Sequence, residues 1–278
     1  MTAPVCTACG GQRPRHARDV NGFRLFACDD CGLRFVDPGQ VAEVDYDTLY
    51  ADDGQYADKL QHAAELQSGG QLRAYPGARR RAVAEIERLR PASLLEVGCG
   101  NGDFLARFER QGVQCFGTDV SANALDLARR LVRAELHHGV LTGAAFGGRR
   151  FDVACAWEVL EHIADAAAFA RVVYDRLEPG GWFYLSTPNY ESPLMWADTA
   201  NDPRSGPPVH VTFWSRSSVR RLLERAGFAR VRAETYSVPA NAARRSGGAL
   251  DRATIRLQAA LLPGRRRTLL AVAQKPAA

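Results

Sequence analysis

The sequence predicts an α/β fold: a seven-stranded, doubly wound sheet preceded by a small cysteine-bearing ribbon. Three observations carry this prediction. Two Cys-x2-Cys pairs stand near the start of the chain. From residue 78 onward, segments with helical apolar spacing alternate with short apolar runs, the pattern of parallel strands joined by crossover helices. The first of those runs leads into Gly98-x-Gly100-x-Gly102, a turn that lets a strand pass directly into a helix.

The chain has 278 residues, enough for one large domain and a small appendage. With 46% hydrophobic and 24% charged residues it is an ordinary globular composition. The first residues hold no apolar run suited to a signal peptide, and no stretch of about 18 apolar residues suggests a membrane span. The expected compartment is therefore cytoplasmic, where seven cysteines read as metal ligands or buried thiols before disulfides. The net charge of +5 comes almost wholly from arginine, since Lys59 and Lys275 are the only lysines. Arg79-Arg80-Arg81 and Arg265-Arg266-Arg267 read as solvated faces rather than as a nucleic-acid surface.

The ribbon is expected over residues 1–36. Cys6-x2-Cys9 and Cys28-x2-Cys31 form two knuckles, each followed by a glycine, Gly10 and Gly32. Paired knuckles place four thiolates tetrahedrally around Zn²⁺ in a closed structural site. Asn21-Gly22, between them, marks a hairpin. So short a segment has few apolar residues, so metal binding is expected to supply its folding free energy. Cys99, Cys115 and Cys155 fall in or beside predicted strands and read as small buried side chains.

Residues 37–76 form a linker or lid segment, opening with Asp37-Pro38-Gly39 and carrying Tyr46, Tyr50 and Tyr56. The main domain is expected over 77–278. Its strands are predicted at 93–97, 113–118, 134–138, 151–156, 181–187, 229–237 and 268–274. Helices are predicted at 78–90, 103–111, 121–132, 164–177, 215–226 and 249–261, with Ser121 and Ser215 as N-caps.

Glycines 98, 100 and 102 let a ligand approach the backbone closely at a helix N-terminus. A dinucleotide fingerprint would place its third glycine at 103, where this chain has Asp103, a charge that disfavours a pyrophosphate. Asp119 closes the second strand, where a carboxylate can accept both ribose hydroxyls. Glu96, just before the glycines, suits an amino-acid end rather than a diphosphate.

These residues resemble the class I S-adenosylmethionine (SAM)-dependent methyltransferases. LLEVGCGNGDF is similar to their first motif, GTDVSANAL to the second, FDVACAWEVLEHI to the motif after strand four, and GGWFYLSTPN to the fifth strand. The resemblance implies a seven-stranded sheet whose end is antiparallel, with RRTLLAVAQK as the last strand. It implies that Glu96, Gly98, Gly100, Gly102, Asp119 and Val120 hold SAM, and that Trp157 lines the site. Many relatives carry an Asp after strand three that binds the adenine amino group; here that loop reads Gly139-Val140-Leu141-Thr142. Adenine is then expected to rely on backbone groups.

Methyl transfer rests mainly on aligning acceptor and methyl, and a base is needed only where the acceptor must lose a proton. The sequence offers Glu158-x2-Glu161-His162 after strand four and a lone His210 beyond strand five. The favoured reading makes His162 or His210 the general base, with Glu161 in the same catalytic group. The second makes Glu161-His162 a helix cap that holds the loop. The third has Glu158, Glu161, His162 and His210 bind a divalent metal, a pattern similar to that of small-RNA 2′-O-methyltransferases. In those enzymes the later His also follows a Thr-Pro-Asn turn, here Thr187-Pro188-Asn189.

The ribbon, followed by Gly-Leu-Arg-Phe-Val-Asp-Pro and a tyrosine-rich stretch, resembles ribbon-fused methyltransferases of bacterial sugar and natural-product pathways. That resemblance implies a small-molecule acceptor, and in the deoxysugar C-methyltransferases the Glu-His pair belongs to the catalytic group. Those relatives are longer, with a further C-terminal domain. The long loop 188–214 carries Tyr190, Trp196 and Trp214, which with the linker tyrosines would either roof the acceptor or pack the ribbon onto the main domain. Two rivals stand beside the small-molecule enzyme. One is a metal-assisted RNA 2′-O-methyltransferase, against which the low lysine content weighs. The other is a non-catalytic zinc-ribbon SAM-binding protein, against which the intact glycines and Asp119 weigh.

Overall fold

The computed structural model describes residues 4–42, 44–48, 77–192, 195, 205–236 and 266–278. The ribbon supplies β1 (Pro14–Val20), β2 (Phe23–Cys28) and β3 (Arg34–Val36). Asn21 and Gly22 join β1 to β2 with φ of 52° and 82°, the two positive values that a tight hairpin turn requires. The main domain follows with α1 (Gly77–Leu89), β4 (Ser93–Val97), α2 (Asp103–Glu109) and β5 (Gln114–Asp119). Next come α3 (Ala122–Leu131), β6 (Glu135–His138), β7 (Phe151–Trp157), α4 (Ala166–Asp175) and β8 (Leu177–Pro188). The last described elements are β9 (Thr212–Phe213), α5 (Arg216–Ala226), β10 (Ala229–Tyr236) and β11 (Thr268–Gln274).

Seven strands form the large sheet in the order β10-β11-β8-β7-β4-β5-β6. β8, β7, β4, β5 and β6 run parallel, while β11 is antiparallel to both β8 and β10. This is the predicted seven-stranded Rossmann-like sheet with its antiparallel end. β8 begins four residues earlier than expected, at Leu177. The predicted helix at 249–261 lies outside the described residues.

Alternate side chains of β4 enter opposite cores. Leu94 packs with Ile86 of α1, Phe104 of α2 and Leu125 of α3 on one face. Leu95 packs with Val173 of α4 and Leu222 of α5 on the other. Both α3 and α5 begin as predicted: Ser121 accepts from the Ala124 amide, and Ser215 forms a reciprocal box with Ser218. The strand order reverses at β4, which lies between β7 and β5. Ligands of open α/β sheets bind at that crevice, beyond the strands' carboxyl ends.

The ribbon sheet has the order β1-β2-β3-β9, so its fourth strand comes from the main domain. Arg34 pairs with Phe213 and Phe35 with Thr212. Phe35, Leu33, Cys6 and Cys31 share a core with Trp214 and Val219. Val20, Leu25 and Val36 pack on Tyr190, Val211 and Phe213. Of the aromatic residues expected either to roof the site or to pack the ribbon, Tyr190 and Trp214 do the packing. Trp214 is fully buried. Tyr50, Tyr56 and Trp196 lie outside the described residues.

Candidate functional site

The end of β4 turns through Gly98 at φ +71°, and a Cβ there would come within 2.5 Å of a Val159 methyl. Gly100, at φ +53°, has open space where its side chain would stand. One glycine therefore admits Val159, and the other leaves room for a ligand beside the backbone. Gly102 begins α2 in the left-handed region. Asp119, at the tip of β5, accepts from the Gly100 amide at 2.8 Å and the Ser121 amide at 2.9 Å. One carboxylate thus ties the glycine turn to the start of α3.

Around this turn lie polar atoms without hydrogen-bond partners among the described residues. Glu96 is buried and its Oε2 has no hydrogen-bond partner; the indole nitrogen of Trp157 has none either. Burial pushes the Glu96 carboxyl well up, Asp103 and Asp119 push the same way, and Arg79 opposes them. A cationic amino group is the kind of partner that would satisfy such a carboxyl. Val120 and Val140 are large apolar side chains left 45% and 64% exposed at the neighbouring strand ends. An adenine ring is flat and apolar enough to cover such residues. The residues present therefore fit SAM.

Arg79 corrects the reading of Arg79-Arg80-Arg81 as wholly solvated. It is half-buried, with its guanidinium 5.3 Å from the Trp157 ring centroid. Only Arg80 and Arg81 face solvent, the latter pairing with Glu85 at 2.6 Å. Sequence reasoning missed Arg79 because three consecutive arginines point three ways around a helix.

The second half of the site follows β7. Glu158 has φ +55°, and the Ser186 hydroxyl donates to its carboxylate at 2.6 Å. A 3-10 turn over Leu160–His162 then presents Glu161 and His162. Glu161 is buried and accepts from the Thr187 hydroxyl at 2.9 Å. Burial raises its carboxyl well above the usual range, and the Glu158 charge adds to the rise. Asp165, not Glu161-His162, caps α4 by accepting from the Ala168 amide at 3.0 Å, while the Glu161 bond to Thr187 ties the turn to the end of β8, as the loop-holding part of that reading expects.

Hydrogen bonding assigns the His162 tautomer. His162 Nδ1 lies 2.9 Å from the Val209 carbonyl, which can only accept, so Nδ1 carries the proton and Nε2 the lone pair. His210 Nδ1 lies 2.9 Å from the Tyr190 hydroxyl, which itself lies 3.1 Å from the Ser205 carbonyl. The hydroxyl thus bridges the Ser205 carbonyl and the His210 ring. The two imidazoles meet edge to face with centroids 4.8 Å apart. Glu161, His162 and His210 bring ligand-capable atoms within 4.8 Å of one another, whereas Glu158 is not part of that cluster. Burial lowers the His162 pKa, partly opposed by its bond to Val209.

A second cluster lies in the ribbon. Cys6, Cys9, Cys28 and Cys31 hold their sulfurs within 4.8 Å of one another, and no disulfide links them. The Cys6–Cys31 and Cys9–Cys28 separations are 3.6 and 3.5 Å. Zn–S bonds of about 2.3 Å in a tetrahedron require sulfurs about 3.8 Å apart, so the quartet fits zinc. The Gly11 amide points at Cys9 Sγ at 3.4 Å, as expected where a thiolate is to be held. The Ser217 hydroxyl donates to the Cys31 carbonyl at 3.0 Å, docking one knuckle on α5.

Fold and site together define a class, the Rossmann-like SAM-dependent methyltransferases. A methyltransferase-domain family model matches residues 63–233, and the chain belongs to that family. It is 35% identical over 103 residues to a ubiquinone biosynthesis O-methyltransferase of Ruegeria pomeroyi, covering 34% of this chain and 41% of that protein. It is 32% identical over 139 residues to a probable S-adenosylmethionine-dependent methyltransferase of Mycolicibacterium smegmatis, covering 49% and 51%. The chain thus spans about half or less of these curated relatives. Among solved structures, a Haemonchus contortus phosphoethanolamine N-methyltransferase aligns with TM-score 0.58 and 16% identity, over 87% of this chain and 62% of that one. A complex of the Haloferax volcanii Trm112 methyltransferase activator with a methyltransferase aligns with TM-score 0.56 and 19% identity, over 84% and 100%. These structural likenesses bear on the fold.

Proposed function

We propose that the chain transfers a methyl group from SAM to a small-molecule acceptor, a sugar or natural-product intermediate. The observation that carries the reading is the pair of imidazoles 4.8 Å apart beside Glu161, with His162 Nδ1–H held by the Val209 carbonyl so that its Nε2 lone pair is left for chemistry. Glu96, Gly98, Gly100, Gly102, Asp119 and Val120 would hold the cofactor, with Trp157 lining its amino-acid end. Arg79, over Trp157, would face its carboxylate. When bound, SAM supplies an electrophilic methyl on a sulfonium.

His162, through Nε2, or His210 is the candidate base for an acceptor hydroxyl, amine or activated carbon. Glu161 stands beside them in the same group. Four cysteines, Cys6, Cys9, Cys28 and Cys31, would hold a structural zinc. We divide the chain into a ribbon over 1–36, a linker over 37–76 and the catalytic domain over 77–278. The ubiquinone-pathway relatives support a small-molecule acceptor.

One observation favours a second reading: Glu161, His162 and His210 also offer a two-histidine, one-carboxylate set to a divalent metal. Elemental mass spectrometry after incubation with Mn²⁺ and desalting separates the two. One zinc per chain and nothing else is the expected result. A second ion, lost in Glu161→Ala, would replace the histidine-base mechanism with a metal-assisted one and make vicinal hydroxyls the acceptors to test.

A further inference from the structure

The short stretch 44–48 lies between the two halves of the site. Asp45 builds its turn, accepting from the Asp47 amide at 3.0 Å and from the Thr48 hydroxyl at 2.6 Å. The turn presents two neighbouring side chains to two different parts of the main domain. Asp47 accepts from the Ser121 hydroxyl and from the Asn123 amide at 3.3 Å, at the N-terminus of α3. A carboxylate is well placed there, where amides are unpaired and the helix dipole is positive. Tyr46 meets the His162 ring edge to face, with centroids 5.6 Å apart.

Ser121 follows Asp119 by two residues, so the anchor lies beside the ribose end proposed for the cofactor, while the tyrosine touches the candidate base. Between these ends is the space that the reacting methyl and the acceptor would share. Burial raises the Tyr46 phenol to about 12, and the charges of Glu161 and Asp119 add to the rise. One ring therefore feels both halves of the site, and its hydroxyl keeps its proton at neutral pH.

We propose that residues 44–48 are a built wall of the cofactor site, with Asp47 latching the turn to the cap of α3 and Tyr46 a positioning residue for His162. The inference rests on the methyltransferase reading above. It assigns to the linker a defined role: the acceptor side is closed by a segment that the cofactor side holds in place.

Calorimetry of S-adenosylhomocysteine on the full chain tests it. Asp47→Ala should weaken binding about tenfold, the worth of a charge-assisted hydrogen bond. Asp47→Asn, which keeps an accepting oxygen, should recover most of that loss. Tyr46→Ala should weaken binding by a similar factor and Tyr46→Phe by much less. Tyr46→Ala combined with Asp47→Ala should be no worse than the weaker single variant, because one residue acts through the other. Thermal unfolding of the ligand-free variants supplies the control. Lowered stability with unchanged affinity in both alanine variants would reduce the turn to packing and overturn the inference. Failure of the unaltered chain to bind the ligand would instead overturn the cofactor reading itself.

Discussion

Glu96 is a carboxyl buried among apolar strands with one oxygen unpartnered. Removing the charge should relieve the ligand-free protein of its desolvation cost. Glu96→Gln is therefore expected to raise the melting temperature of the free protein while weakening SAM binding tenfold or so, on the order of one charge-assisted hydrogen bond. Calorimetry and thermal scanning of the same sample check both signs. Asp119→Ala should abolish detectable SAM binding with the protein still folded and zinc-loaded. Unchanged affinity would remove Asp119 from the cofactor site. His162 adds a pH dependence. Its folded pKa is depressed by burial, so the stability it contributes is present above the unfolded value of about 6.5 and is lost as pH falls through the folded value. Turnover should likewise fall on acidification with a midpoint below that of an ordinary histidine. His162→Ala should lower turnover while leaving SAM affinity largely intact. A midpoint above about 6.5 would exclude His162 as the base.

At the scale of elements, β9 connects the ribbon to the chemistry. The Val36 amide donates to the Val211 carbonyl at 2.9 Å, and the Val211 amide donates to the Glu161 carbonyl at 2.9 Å. Two residues earlier, Val209 holds His162. The ribbon edge is thus two hydrogen bonds from the turn that presents Glu161. Phe35→Ala empties a fully buried site shared by both parts and should cost about 3–5 kcal/mol in chemical denaturation. A single transition shifted as a whole is expected, since the ribbon and main domain share one core. Two separate transitions, with the main domain unmoved, would show that the ribbon is an independent appendage. β9 itself was not legible in the sequence. Thr212–Phe213 is only two residues long and has no period to detect, and its partner Phe35 is remote in the chain.

Over the whole molecule, legibility followed the range of the interaction. Strands such as 93–97 and helices such as 216–226 announce themselves by local period and by caps such as Ser215. The glycine turn was legible because its backbone demands are local. Where a side chain leans was not: Arg79 needed Trp157 from a distant strand, and His210 needed Tyr190 to hold its ring. Tyr190 and Trp214 could be read as aromatic, but whether they lined a cavity or filled a core depended on where the ribbon docked.

The shared ribbon sheet also orders events in time. A chain leaves the ribosome from its N-terminus, so the four cysteines and β1 to β3 emerge before any strand of the large sheet. Yet the edge of β3 has no partner until Thr212 and Phe213 have been made. In the interval the nascent ribbon exposes an unpaired strand edge and the apolar face that Trp214 later covers, the kind of surface that invites wrong partners. Early metal capture would hold the knuckles in shape during that wait, and the last step of assembly would be the closing of an N-terminal sheet by a late strand.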